Sequence, residues 1–125
     1  MGIGYDDLLL HAEEQLDQDS EINFRDSISR SYYASYHACK SYSSLIQRHG
    51  VTDADSKQST GMHRKFINSF LTNPAPEVKK VGYILQNIYA ERIRADYILD
   101  EDITLAQTET ALKLSKKAIK LISEL

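Results

Sequence analysis

A chain of 125 residues with 42% hydrophobic and 26% charged side chains can build one hydrophobic core but not two. Disordered and fibrous classes are thereby excluded, and residues 1–125 are read as a single domain. Eighteen acidic against fifteen basic residues leave a formal charge of -3, which excludes broad coating of nucleic acid but leaves room for a local basic site. The single cysteine, Cys39, excludes an internal disulfide or a thiolate zinc site and fits a reducing compartment.

The start, Met-Gly-Ile-Gly-Tyr-Asp-Asp, has neither the basic residues nor the apolar run of a signal peptide. No apolar stretch approaches the ~20 residues that span a bilayer, so a cytoplasmic protein without a membrane partner is expected. Tyr5, Leu8, Leu9, Ala12 and Leu16 recur at helical spacing and predict a first helix over 5–16. The polar stretch Asp17–Ser20 breaks that pattern and supplies N-caps for a second, longer helix running to about Gly50. Residues 51–60 are polar and aperiodic and read as a surface loop.

A third helix is expected over 61–72 and is ended by Asn73-Pro74-Ala75-Pro76. Pro76 suits the first turn of a fourth helix running to about Leu99. Thr104-Leu105-Ala106-Gln107 fits a capping box. Ala111, Leu114, Ala118, Leu121, Ile122 and Leu125 then follow at helical spacing to the last residue, a fifth helix. Nothing alternates with period two and no glycine-rich phosphate loop is present, so the expected fold is an all-α, five-helix antiparallel bundle.

The second helix carries two distinct faces. Ile28, Tyr32, Ser35, Cys39, Tyr42 and Ile46 form the better core face, while Arg30, Tyr33, Ala34, His37, Ser41 and Ser44 fall opposite. Small residues mixed with two ionisable groups suggest that this second face is buried too, against another backbone. Arg30 and His37 are seven positions apart, so they point the same way with Cα atoms roughly 10 Å apart. They would converge on a ligand lying across the helix, or meet their own copies about a two-fold axis. Arginine supplies fixed positive charge and forked donors, whereas histidine moves a proton near neutral pH. A metal-independent ribonuclease uses both: His37 exchanges a proton with the ribose 2′-hydroxyl or the leaving oxygen, and Arg30 stabilises phosphoryl charge. The blander alternative is a surface or hydrogen-bonded structural pair.

Ser29-Arg30-Ser31-Tyr32-Tyr33-Ala34-Ser35-Tyr36-His37-Ala38 resembles the SR-x-YYA-x-[FY]-HA signature of small bacterial and archaeal HEPN proteins. Arg92-Ile93-Arg94-Ala95-Asp96-Tyr97 is similar to the R-x-x-ADY segment that follows in that family. Gly61-Met62-His63-Arg64-Lys65-Phe66 and the final helix from Ile103-Thr104 also look familial, so the likeness covers nearly the whole chain. It implies a HEPN-type bundle, a homodimer, and ribonuclease activity without metal or cofactor through an R-x4-6-H motif matched by Arg30 and His37. It also implies RNA as substrate and a toxin or phage-defence setting, with a nucleotidyltransferase-type antitoxin or another defence protein as partner. The alternative within the same family is a non-catalytic module that docks a nucleotide or such a partner.

In the best-studied toxin branch the motif lies on a late helix, where this chain has Arg92, Asp96 and Tyr97 but no histidine. Arg92 and Asp96 share the stripe of Val78, Leu85 and Tyr89, so a salt bridge at the end of a buried face is one role for them. Binding of RNA phosphate or a nucleotide by Arg92 or Arg94, with Asp96 and Tyr97 orienting it and Tyr33 beside it, is the other. Arg94 points away from the stripe and reads as the freer of the two. His63, Arg64 and Lys65 read as a solvated helix start, with an RNA guide as the alternative. His11 and His49 give no metal-ligand spacing.

Overall fold

The computed structural model describes residues 2–46 and 61–125. It contains α1 (Tyr5–Leu16), α2 (Glu21–Ile46), α3 (Met62–Leu71), α4 (Pro76–Tyr97) and α5 (Leu105–Ser123). Among the described residues there is no strand, so the fold is an all-α bundle. No described helix is long and apolar enough to cross a membrane. The expected end of the second helix at Gly50 and the loop at 51–60 lie outside the described residues.

Local chemistry accounts for most of the boundaries. At α1, the Asp7 carboxylate accepts from the Gly4 N–H at 2.8 Å, satisfying a donor at the helix start. Asn73 Oδ1 accepts from the Ala75 N–H at 2.9 Å, a turn that delivers Pro76 to the first position of α4. Thr104 and Gln107 form the expected box at α5: Thr104 Oγ1 accepts from the Gln107 N–H at 3.2 Å, and Gln107 Oε1 accepts from the Thr104 N–H at 2.8 Å. Leu125 lies past the end of α5 and is exposed, so it does not extend the apolar stripe as expected.

The long helix α2 is central, with α1, α4 and α5 packed on it and α3 packed on α4. Ile28, Tyr32, Ser35 and Cys39 are fully buried, as the core-face reading of α2 requires, and Tyr42 is partly buried. Ser27 and Ser31 are fully buried as well. Their neighbourhood is tied by hydroxyls donating to carbonyls: Ser27 to Ala12 at 2.7 Å, Ser35 to Tyr32 at 2.8 Å, and Ser115 of α5 to Ser31 at 2.6 Å. Small polar residues at four-residue spacing thus let three helices approach closely while these three hydroxyl protons stay paired. Burial of the Cys39 thiol pushes its pKa up to about 12, which leaves it an inert packing residue.

Within the single chain the opposite face of α2 is only partly covered. Ala34 is buried within the chain, Arg30 and Tyr33 are half-buried, and His37 and Ser41 are exposed. The smallest of these residues packs inward, and the long polar ones are left to border open space.

The approach of α3 to α4 depends on Gly82. A Cβ at that position would stand 2.9 Å from the Leu71 backbone nitrogen and 3.0 Å from Phe70 Cβ. Gly82→Ala gains up to about 1 kcal/mol of helix propensity but forces these helices apart at a typical cost of about 1–3 kcal/mol. A net loss of stability is expected in urea unfolding, and a variant more stable than the parent would refute this account of the contact.

Candidate functional site

The open side of α2 and the start of α1 enclose a cleft of about 590 Å³. Ile3, Gly4, Tyr5 and Leu8 form one wall, and Arg30, Tyr33, His37, Lys40 and Ser41 the other. Positions 30, 33, 37 and 40 advance by three or four residues, so a single stripe of α2 faces the cleft. Two cations and a histidine stand in this lining, and among the described residues no carboxylate does. Arg30 and His37 therefore border one space, as their spacing requires for convergence on a ligand.

Arg30 is tethered on one edge. Its Nε lies 3.5 Å from Asp26 Oδ1, while Asp26 Oδ2 pairs with His11 Nε2 at 2.9 Å. His11 thus reaches Arg30 through Asp26. Burial and then the Lys40 charge hold the His37 imidazole below its ordinary range, so it is neutral, and able to accept a proton, at neutral pH.

Behind this stripe, α4 supplies Arg92. Its Nε donates to Asp96 Oδ2 at 2.9 Å, and its Nη2 donates to the Tyr33 hydroxyl oxygen at 2.7 Å and, more weakly, to that of Tyr97 at 3.4 Å. The guanidinium lies over both rings, 5.1 Å from the Tyr33 centroid and 5.3 Å from that of Tyr97. Ser29 Oγ donates to Asp96 Oδ2 at 3.2 Å. The fold thus joins Tyr33, Arg92, Asp96 and Tyr97, and Tyr33 belongs both to this network and to the cleft. The Arg92–Asp96 salt bridge expected at the end of the buried stripe is present.

Arg94 is placed elsewhere. It pairs with Glu91 Oε1 at 2.8 Å and Glu101 Oε2 at 3.1 Å, and it borders a separate cleft between α4 and α5. Arg94 points away from the buried stripe and is the more exposed of the two arginines, as expected, but two carboxylates compete for its charge, and it does not line the cleft of Arg30 and His37.

His63 is the residue that sequence reasoning underrated. It does not stand in a solvated helix start: its Nδ1 is 2.7 Å from the hydroxyl of fully buried Tyr32, and its ring stacks on Tyr89 at 5.7 Å. Tyr36 separates it from His37, with both imidazole centroids 5.0 Å from the Tyr36 ring. A signal was available, because His63, Phe66, Ile67 and Phe70 share the spacing of an inward stripe. Burial raises the Tyr32 pKa, so the phenol stays neutral, and it shares one hydrogen bond with Nδ1 whose direction follows the His63 tautomer.

Burial, then Arg92 and His37, hold the His63 imidazole below its ordinary range. Between these lowered values and about pH 6.5, unfolded histidines bind more protons than His37 and His63 do in the fold, so stability rises with pH there. Their contribution is complete above about pH 6.5 and is lost as the pH falls through the window. Thermal midpoints are expected to drop on acidification from pH 7 to pH 5, and His63→Asn is expected to flatten the slope. An unaltered slope would remove His63 from this account.

Among the described residues, no three His, Cys, Asp or Glu side chains gather as metal ligands. Comparison with known proteins finds no matching family model, curated protein or solved structure.

Proposed function

We propose that the protein is a HEPN-type, metal-independent endoribonuclease whose active cleft is built on the Arg30–His37 stripe of α2. The observation that carries this reading is that both residues line one cleft together with Lys40, and that no carboxylate stands in its wall among the described residues. Neutral His37 removes the ribose 2′-hydroxyl proton, and the 2′-oxygen forms a bond to phosphorus as the bond to the 5′-oxygen breaks. The imidazolium returns the proton to that leaving oxygen, which gives a 2′,3′-cyclic phosphate and a 5′-hydroxyl. Arg30 and Lys40 offset the charge that builds on the phosphoryl oxygens.

A second copy packed over the open side of the cleft would bring two arginines and two histidines together about a two-fold axis. The resemblance to HEPN proteins supports a toxin or phage-defence setting, with restraint by a nucleotidyltransferase-like or other defence partner. The test is incubation of the purified protein with RNA in excess chelator, with end-group analysis of the products and His37→Ala as the comparison. Cyclic phosphate ends that depend on His37 support the reading, and RNA left intact refutes it.

One observation favours the alternative, a non-catalytic HEPN module that docks a nucleotide or a protein partner. Arg92, Asp96, Tyr33 and Tyr97 are bonded chiefly to one another, an arrangement equally suited to holding a rigid docking surface. That module would bind RNA or its partner without cutting, and binding would survive substitution of His37.

A further inference from the structure

The hydroxyl of Tyr33 has a direction that the rest of the cleft does not explain. A guanidinium has only donors, so in the 2.7 Å contact with Arg92 the phenolic oxygen accepts. The single Tyr33 proton takes no part in that bond, and among the described residues no acceptor is paired with it. Tyr32, its neighbour in sequence, differs: its hydroxyl pairs with His63 Nδ1.

The Tyr33 ring is also held in place. Tyr32 meets it edge-on at 5.4 Å and 71°, and Arg92 covers its face. Arg92 is anchored by Asp96, which Ser29 engages in turn. The series Ser29, Asp96, Arg92, Tyr33 therefore runs from the α2–α4 contact to the wall of the cleft that holds Arg30 and His37.

We propose that Tyr33 is a neutral hydrogen-bond donor to the phosphoryl group in this cleft, and that Arg92 is the positioning residue that turns its proton toward the substrate. The inference rests on the ribonuclease reading and adds a residue to it. The donor meets a non-bridging oxygen as charge accumulates there. No proton is transferred and no bond to Tyr33 forms, so its effect falls on the reacting state more than on ground-state binding. Arg92, enclosed by Asp96, Tyr33 and Tyr97, acts on the reaction through Tyr33 and not by touching RNA.

The test is single-turnover cleavage of a short RNA in chelator by the full chain, its Tyr33→Phe and Arg92→Lys variants and the double variant. Affinity for the 2′-O-methyl form of the same RNA is measured alongside. Tyr33→Phe is expected to slow cleavage at saturating RNA roughly 10- to 100-fold while leaving that affinity within about twofold. Arg92→Lys is expected to slow the parent but to cost less than about twofold more on Tyr33→Phe, a coupling that a purely structural arginine would not show. If Arg92→Lys melts below the assay temperature, Asp96→Asn, which removes the arginine's anchor, replaces it in the cycle.

Cleavage that needs His37 but is equal in the parent and Tyr33→Phe overturns the donor role and leaves the nuclease reading standing. Absence of any His37-dependent cleavage overturns the nuclease reading, and affinity for the methylated RNA then decides about Tyr33. A loss of about fivefold or more in Tyr33→Phe keeps the donor as a binding contact, whereas unchanged or undetectable binding overturns it.

Discussion

Arg25→Met is expected to destabilise the domain by roughly 3–5 kcal/mol, a fall in melting temperature on the order of 10 °C or more. Arg25 is buried on α2, and its guanidinium reaches the end of α4. Nη1 donates to the carbonyls of Arg94 at 3.2 Å, Ala95 at 2.9 Å and Ile98 at 3.2 Å, and Nη2 donates to those of Leu99 at 3.4 Å and Glu101. These acceptors come from the last turn of α4 and the connection to α5, where the helix dipole favours positive charge. The Arg94 and Ile98 carbonyls also accept from the Ile98 and Glu101 N–H groups, whereas those of Ala95, Leu99 and Glu101 have Arg25 as their partner among the described residues. One side chain thus satisfies a helix terminus that would otherwise be partly buried with unpaired acceptors.

Methionine preserves the apolar stem, so the loss isolates the guanidinium. Lysine keeps the charge but places a single nitrogen where a fork is needed, and an intermediate loss is expected. Glu21 binds the outer edge of Arg25 at 2.9 Å but is well exposed, so Glu21→Gln is expected to cost less than about 1 kcal/mol. Urea unfolding at constant slope measures all three. An Arg25→Met variant within about 1 kcal/mol of the parent would mean that water serves these carbonyls equally well.

The second large effect concerns chemistry instead of stability. His37→Ala is expected to reduce metal-independent RNA cleavage about 10²- to 10⁴-fold, the usual contribution of a general base, and Arg30→Met about 10²- to 10³-fold. His37 borders the cleft, and partial desolvation of its ring, then the Lys40 charge, lowers its pKa. Activity should therefore persist to pH values somewhat below 6.5 and fall with further acidification as the base is protonated. Both variants should melt within a few degrees of the parent, because neither side chain belongs to the core. Cleavage retained in folded His37→Ala would leave the cleft without its proton acceptor and end the assignment.

The two predictions differ in how far the sequence foretold them. Arg30 and His37 stand out because their spacing and the SR-x-YYA-x-[FY]-HA segment mark them as a pair on residue order alone. Arg25 carries no such mark: its carbonyl partners lie 69 to 76 positions away, and backbone acceptors have no side-chain signature. The same holds for His11, which meets Asp26 across the α1–α2 contact, whereas His63 shares the spacing of an inward stripe but not any mark of its partner Tyr32, 31 positions away.

Features governed by neighbours within a turn or two are legible in the residue order. The limits of α1, Pro76 at the start of α4, the Thr104–Gln107 box and the common stripe of Arg30, Tyr33 and His37 all follow from a repeat of about 3.6 residues and from capping at hydrogen-bond range. Which faces meet is settled by the packing of distant segments. That packing made Ile3, Gly4, Tyr5 and Leu8 the second wall of the cleft, buried Ala34 and opened His37. It also separated two arginines only two positions apart, turning Arg92 inward to Tyr33 and Arg94 outward to Glu91 and Glu101. Two steps of a helix rotate a side chain by roughly 200°, so the residue order already sets Arg92 on the buried stripe and Arg94 off it, and the seating of α4 against α2 decides that Arg92 meets Tyr33 at the cleft's inner wall.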